Sequence, residues 1–331
     1  MSRSRLVVVV SAVVVGAGIA AALGIRVVQP ARAAVGPVPA EALSILPDAR
    51  FVMGLDVQRF AASGFHKRYA GDAATRLDAF HELEDKTGLN PERDLDQVYV
   101  AGGMPGDGKG IALVLGRFDR ARVAHAIESE TKDVTWKTHE GVTVYVFREG
   151  SKSPGSLAFL DDRSILVGSE RAVVAAISRQ AAPAPTPAAL TDLLGRVRPG
   201  STFWMVGDQA LLENLPKTMP GGGASAPAIT LPALKGLVVN GDLDPVVALT
   251  VTGDAADATA AKNLADIVRG FVGLAALQAS QKPELAQLSS AVTVSTEASR
   301  VMVSARLTYE ILDALAPRKA PQPQLQAPPR H

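Results

Sequence analysis

The chain has 331 residues, of which 34 are Lys or Arg, 33 are Asp or Glu and none is Cys. The missing cysteines exclude a disulfide framework, a thiolate metal site, a cysteine nucleophile and a lipid-modified N-terminal cysteine. Four bases, Arg3, Arg5, Arg26 and Arg32, lie in the first 33 residues; without them 34 − 4 basic residues face 33 acidic ones, a formal charge of −3. That balance offers no basic stripe for a phosphate backbone and excludes nucleic acid as a partner.

Residues 1–33 read as a targeting segment. Two arginines precede an uncharged run from Leu6 to Ile25, and Ala31-Arg32-Ala33 follows as a small-residue cleavage motif. This is the order of a secretory signal peptide, but the run is as long as the ~20 residues that span a bilayer. Cleavage after Ala33 and retention as an N-terminal membrane anchor through residues 6–25 are both open. Either way the body is expected to be exported: periplasmic, membrane-anchored or secreted.

The body says nearly the same thing twice. Residues 46–60, LPDARFVMGLDVQRF, return at 198–212 as RPGSTFWMVGDQALL, so that Phe51, Met53 and Asp56 recur as Phe203, Met205 and Asp208. Each run reads as a strand closing on an aspartate that caps the next helix. In the first half a helix from Asp72 to Lys86 places Leu77, Phe80 and Leu83 on one face, and Gly88 stops it. A strand pair follows, DQVYVAGG with GIALVLGRF, matched in the second half by KGLVVNGD and PVVALTVTGD around a two-residue connection at Leu243-Asp244. Asp119 and Asp254 then stand as predicted caps of the next helices, the second a long one from Ala255. Each half ends in a hairpin and a terminal helix, capped by Ser169 or Thr308. Only the first half carries the additional hairpin VTWKTHEGVTVYVFRE, where the second has a helix reaching toward Leu288, interrupted near Pro283.

Strands joined by short turns are antiparallel. The expected fold class is therefore α+β: two tandem repeats of antiparallel sheet, helices packed on one face, related as a pseudo-twofold duplication. The halves are 34–180 and 190–316, with a Pro/Ala-rich linker at 181–189 and a disordered Pro/Gln-rich tail at 317–331. Whether the two sheets join is not legible at this level. This organisation, with phrases such as TGLNPERDLDQVYVAG, resembles a group of exported, internally duplicated bacterial proteins of unknown function. The resemblance spans most of residues 41–316 and implies a cell-envelope location, but no activity and no site residue.

Chemistry-bearing strings are few. Asp56 and Asp208 invite comparison with the shared dyad of bilobal aspartic proteases, yet Asp-Val-Gln and Asp-Gln-Ala replace the tight turn those enzymes need. GGMPGDGKG at 102–110 has the glycine and lysine spacing of a phosphate-binding loop, but Gly110 replaces the magnesium-binding hydroxyl and a strand follows instead of a helix. No nucleotide is expected. No two histidines sit four apart on a helix, no Gly-x-Ser-x-Gly elbow occurs, and Asp161 and Asp162 fall at a hairpin tip, so no metal and no cofactor is expected. The long helix shows a broad apolar face at Leu264, Ile267, Val268, Phe271, Leu274 and Ala275. Core packing explains that face; a groove at Gly270, Phe271 and Gly273, rimmed by the GGGASAPA loop at 221–228, is the functional alternative. The leading expectation is a non-catalytic envelope protein that binds a protein partner or an apolar ligand such as a lipid. The opposing one is an envelope hydrolase with a dispersed site.

Overall fold

The computed structural model describes residues 49–69, 81–103, 110–130, 133–147, 155–182, 188–214, 218–219, 229–230, 232–277 and 290–315. Residues 1–33, Leu77, Phe80, the central part of the 102–110 loop, the 221–228 loop, Pro283 to Leu288 and the 317–331 tail lie outside that set, and with them the expectations placed there.

In chain order the first half runs β1 (Phe51–Asp56), α1 (Val57–Ala61), α2 (Gly64–Tyr69), α3 (81–87), α4 (Pro91–Asp94), β2 (Leu95–Gly102), β3 (Ile111–Gly116) and α5 (Arg120–Glu130). It continues through β4 (Val134–His139), β5 (Val142–Phe147), β6 (Gly155–Asp161), β7 (Ser164–Ser169) and α6 (Glu170–Ala181). The second half runs α7 (Ala188–Gly195), β8 (Phe203–Asp208), α8 (Gln209–Glu213), the small pair β9 (Thr218–Met219) and β10 (Ile229–Thr230), then β11 (Leu234–Asp242) and β12 (Val247–Ala255). It ends with α9 (Ala258–Leu277), β13 (Val292–Glu297), β14 (Arg300–Leu307) and α10 (Tyr309–Leu315). The fold is α+β.

All strands but the small pair form one 12-stranded antiparallel sheet in the order β13-β14-β12-β11-β8-β1-β2-β3-β7-β6-β5-β4. The halves therefore share a single sheet, joined where β1 pairs with β8. Met53 lies directly across from Met205 there, and the register runs symmetrically outward from it, Phe51 to Gly207 on one side and Leu55 to Phe203 on the other. Beyond this pair both halves place a glycine across from the repeated phenylalanine, Gly102 opposite Phe51 and Gly241 opposite Phe203. A Cβ at either glycine would meet the ring, at 2.9 and 2.0 Å, so each aromatic lies across a gap that only glycine leaves. Both halves also break register at the start of the next strand, between Leu95 and Gln97 and between Leu234 and Gly236.

Three expectations need correction. Helices cover both faces of the sheet. α6 and α7 pack with Val52, Leu113, Leu166, Trp204 and Val206, whereas Val123 and Ile127 of α5 pack with Ala112, Val114, Ile165 and Val167 on the other side. The reason is in the strands: Ile111 to Val114 and Ile165 to Val167 are uninterrupted apolar runs, and a strand apolar on both faces needs cover on both. α9 lies on the α5 face, with Ala261, Leu264 and Ala265 against Ala255, Val301 and Val303. The connection at Leu243-Asp244 spans residues 243–246, and helix extends into the linker from both ends, through Ala181 and from Ala188.

Candidate functional site

The predicted caps can be placed one by one. Asp56 Oδ1 accepts the Arg59 N–H at 2.9 Å and Asp208 Oδ1 the Leu211 N–H at 2.9 Å. Asp119 accepts from the Arg122 N–H at 3.0 Å, Ser169 Oγ from Ala172 at 3.2 Å and Thr308 Oγ1 from Ile311 at 3.5 Å. Asp254 is not a cap. It sits within β12 and is held by Arg196, at 2.9 and 2.5 Å, and by Arg300 at 3.4 Å, while Asp257 accepts the Ala260 N–H at the start of α9. The Arg196 hydrogen bonds keep the Asp254 carboxyl below the usual aspartate range.

Asp56 and Asp208 occupy like positions in unlike surroundings. Each N–H bonds across the central ladder, Asp56 to Thr202 at 2.8 Å and Asp208 to Arg50 at 2.9 Å. That places the carboxylates six residues apart along antiparallel strands, about 20 Å, far too distant to share a proton. Arg50 pairs with Asp208 at 3.1 Å, but Thr202 holds the corresponding place beside Asp56. Burial raises the Asp56 carboxyl above its ordinary range, opposed by the Arg59 N–H bond.

Two small spaces can be described near the sheet. A cleft of mixed polarity beside Asp56, lined by Gln97, Tyr99, Arg198 and Trp204, has a free volume of about 20 Å³. Burial, and then the Asp56 charge, push the Tyr99 hydroxyl up to about 12. An apolar gap between α3, α5 and the sheet, lined by Leu83, Val123, Leu157 and Ile165, has about 30 Å³. One water takes roughly that share of liquid volume, while small-molecule pockets run to roughly 300–1,000 Å³. Neither space holds a lipid or a substrate as it stands. At the groove expected on α9, Gly270 and Gly273 are exposed, and among the described residues a Cβ at either would meet nothing within 4 Å. Phe271 is half-buried. The side chains of Leu274 and Ala275 lie outside the described set.

Sequence spacing missed one constellation. His139 Nε2 lies 2.7 Å from Ser178 Oγ, and the Ser178 hydroxyl donates to Glu140 Oε1 at 3.0 Å. Serine, histidine and acid together suggest a nucleophile, yet the arrangement fails as a catalytic triad. Glu140 approaches the same Nε2, at 3.6 Å, instead of orienting the ring through Nδ1. Ser178 also lies in the last turn of α6, where carbonyl dipoles and Glu140 both oppose a developing oxyanion. What the contacts do is fasten the β4–β5 hairpin to α6, together with an ion pair from Lys137 to Glu170 at 2.7 Å. Among the described residues no three His, Asp or Glu side chains gather as a metal site.

The hairpin so fastened forms one edge of the sheet. β4 and β5 pair without a register break from Val134–Phe147 to His139–Val142, around a turn whose Glu140 and Gly141 both have positive φ, 47° and 79°. Lys137 and His139 point to the α6 face. Trp136 alternates to the α5 face, across from Tyr145 and beside the Val134–Phe147 pair. It is 60% exposed; Met302, at 41%, is the other exposed large apolar side chain among the described residues. The sequence placed Trp136 in a hairpin but carried no sign that this hairpin ends the sheet. No family model, no curated protein and no solved structure matches the chain.

Proposed function

We propose that this chain is a non-catalytic, exported cell-envelope protein that binds a protein partner along the β4 edge. The observation that carries this is Trp136, a large aromatic left 60% exposed on an edge strand whose outer side no described strand covers. Such a strand recruits another by main-chain hydrogen bonds, and tryptophan is a favoured interface anchor. The small volumes of the space beside Asp56 and of the gap between α3, α5 and the sheet favour a protein over a lipid there, and the geometry around Ser178 disfavours that serine as a hydrolase nucleophile. The export reading rests on residues 1–33.

The body is best understood as a tandem duplication with its pseudo-twofold axis between Met53 and Met205. The mirrored register, the paired Phe–Gly contacts and the matching breaks at Leu95 and Leu234 support it. On that reading the β4–β5 hairpin is the element without a counterpart, and it carries the binding surface.

A photo-crosslinking residue at Thr138 on β4, compared with one at Ser295 on β13, tests the reading in the native envelope. An adduct from position 138, lost on Trp136→Ala and missing from position 295, is expected. Equal labelling from both edges, or none from either, would sink it.

A further inference from the structure

The edge strand reads VTWKTH, and its pairing with itself can be worked out residue by residue. We infer that the partner of β4 is a second copy of this chain, paired antiparallel with Trp136 on the dyad; the inference rests on the edge-binding reading above. In that register the two Trp136 side chains meet on the α5 face, where cross-strand aromatic pairs are favourable. Val134 falls opposite Thr138 of the second copy, and Lys137 opposite Thr135. One step further His139 falls opposite Asp133, twice across the dyad, setting an imidazole beside a carboxylate. Centring the dyad on Lys137 instead would oppose two lysines, which like-charge repulsion disfavours.

The surroundings leave room. α6 packs over β5, β6 and β7, and its counterpart would stand about five strand spacings away, roughly 24 Å, against a helix diameter of roughly 10–12 Å. β4 also lacks the usual guards of a sheet edge: it has no proline and no bulge, and its single lysine is tied to Glu170 on the α6 face. Pairing β4 with β13 of another copy would leave a free edge at each end and grow without limit. Pairing β4 with β4 closes after two copies.

Sedimentation equilibrium of the purified chain should show a monomer–dimer equilibrium that Trp136→Ala weakens about tenfold or more, with the far-ultraviolet circular dichroism unchanged. A second variant reads the register. In a chain with no native cysteine, Thr135→Cys with Lys137→Cys should yield a disulfide-linked dimer on oxidation, and either single change should do so poorly. A monomer at every concentration, or a dimer indifferent to Trp136→Ala, would overturn the inference. If the monomer still gives a Trp136-dependent adduct with a different protein from position 138, the edge-binding reading survives; if that adduct is missing too, both fail.

Discussion

The chain has two tryptophans, and the sheet treats them in opposite ways. Trp204 lies on the central strand pair, 8% exposed, with its indole over Gly54 and its ring centroid 6.2 Å from that of Tyr99. Trp136 lies on the last strand of the longer half, 60% exposed. At the centre, space was made for the ring: a Cβ on Gly54 would come within 2.5 Å of the indole. At the edge no described neighbour covers the ring. The first tryptophan joins two halves of one chain, and on the proposed reading the second joins the chain to a partner.

The comparison can be broken most sharply through stability. Trp204→Ala should cost about 3–5 kcal/mol, and Trp136→Ala within about 0.5 kcal/mol, both from urea unfolding. Equal costs would mean that Trp136 belongs to the core. Next in size, Gly54→Ala should lose about 1–3 kcal/mol, because its methyl group meets the Trp204 ring, and pairing it with Trp204→Ala should recover part of that loss.

The two central caps sharpen the contrast between the halves. Asp56→Ala and Asp208→Ala should each cost about 1 kcal/mol and add to within about 0.5 kcal/mol, since some 20 Å separates them. Strong coupling would reopen the question of a shared proton.

The surroundings of Asp56 and Asp254 predict pH behaviour of opposite sign. The raised Asp56 carboxyl contributes stability that is full below the ordinary aspartate value and lost as pH rises through the folded value. Asp254, lowered by Arg196, contributes stability present above the ordinary value and lost as pH falls through the folded one. Asp56→Asn should therefore fare better against wild type at neutral pH than below about pH 3, and Asp254→Asn worse. Denaturant melts at both pH values decide it. The smallest effect belongs to Ser178→Ala, which should shift stability within about 0.5 kcal/mol and leave any ester-hydrolysis signal at its background level.

Much of the local structure was legible in the residues. Hairpins followed from short turns, and Asp56, Asp119 and Asp208 announced helix starts because an aspartate ahead of an apolar run has few other uses. Asp254 misled for an instructive reason. Both it and Asp257 precede the Ala-rich helix, and the choice between them was made by Arg196 and Arg300, which draw Asp254 into the ladder from positions 58 and 46 residues away. Cover on both faces is written in the unbroken runs IALVLG and SILVG, apolar on both sides of the strand. The junction of β1 with β8, the edge position of β4 and the meeting of His139 with Ser178 depend on long-range pairing that no periodicity reports.

Amide hydrogen exchange along the two edge strands tests the central claim most directly, measured on the dilute chain, on the concentrated chain and with native envelope extract added. The account predicts that amides within Val134–His139 slow in the concentrated sample while those within Val292–Glu297 keep their rate. Protection gained at β13 instead, or at neither edge under any of the three conditions, would contradict it.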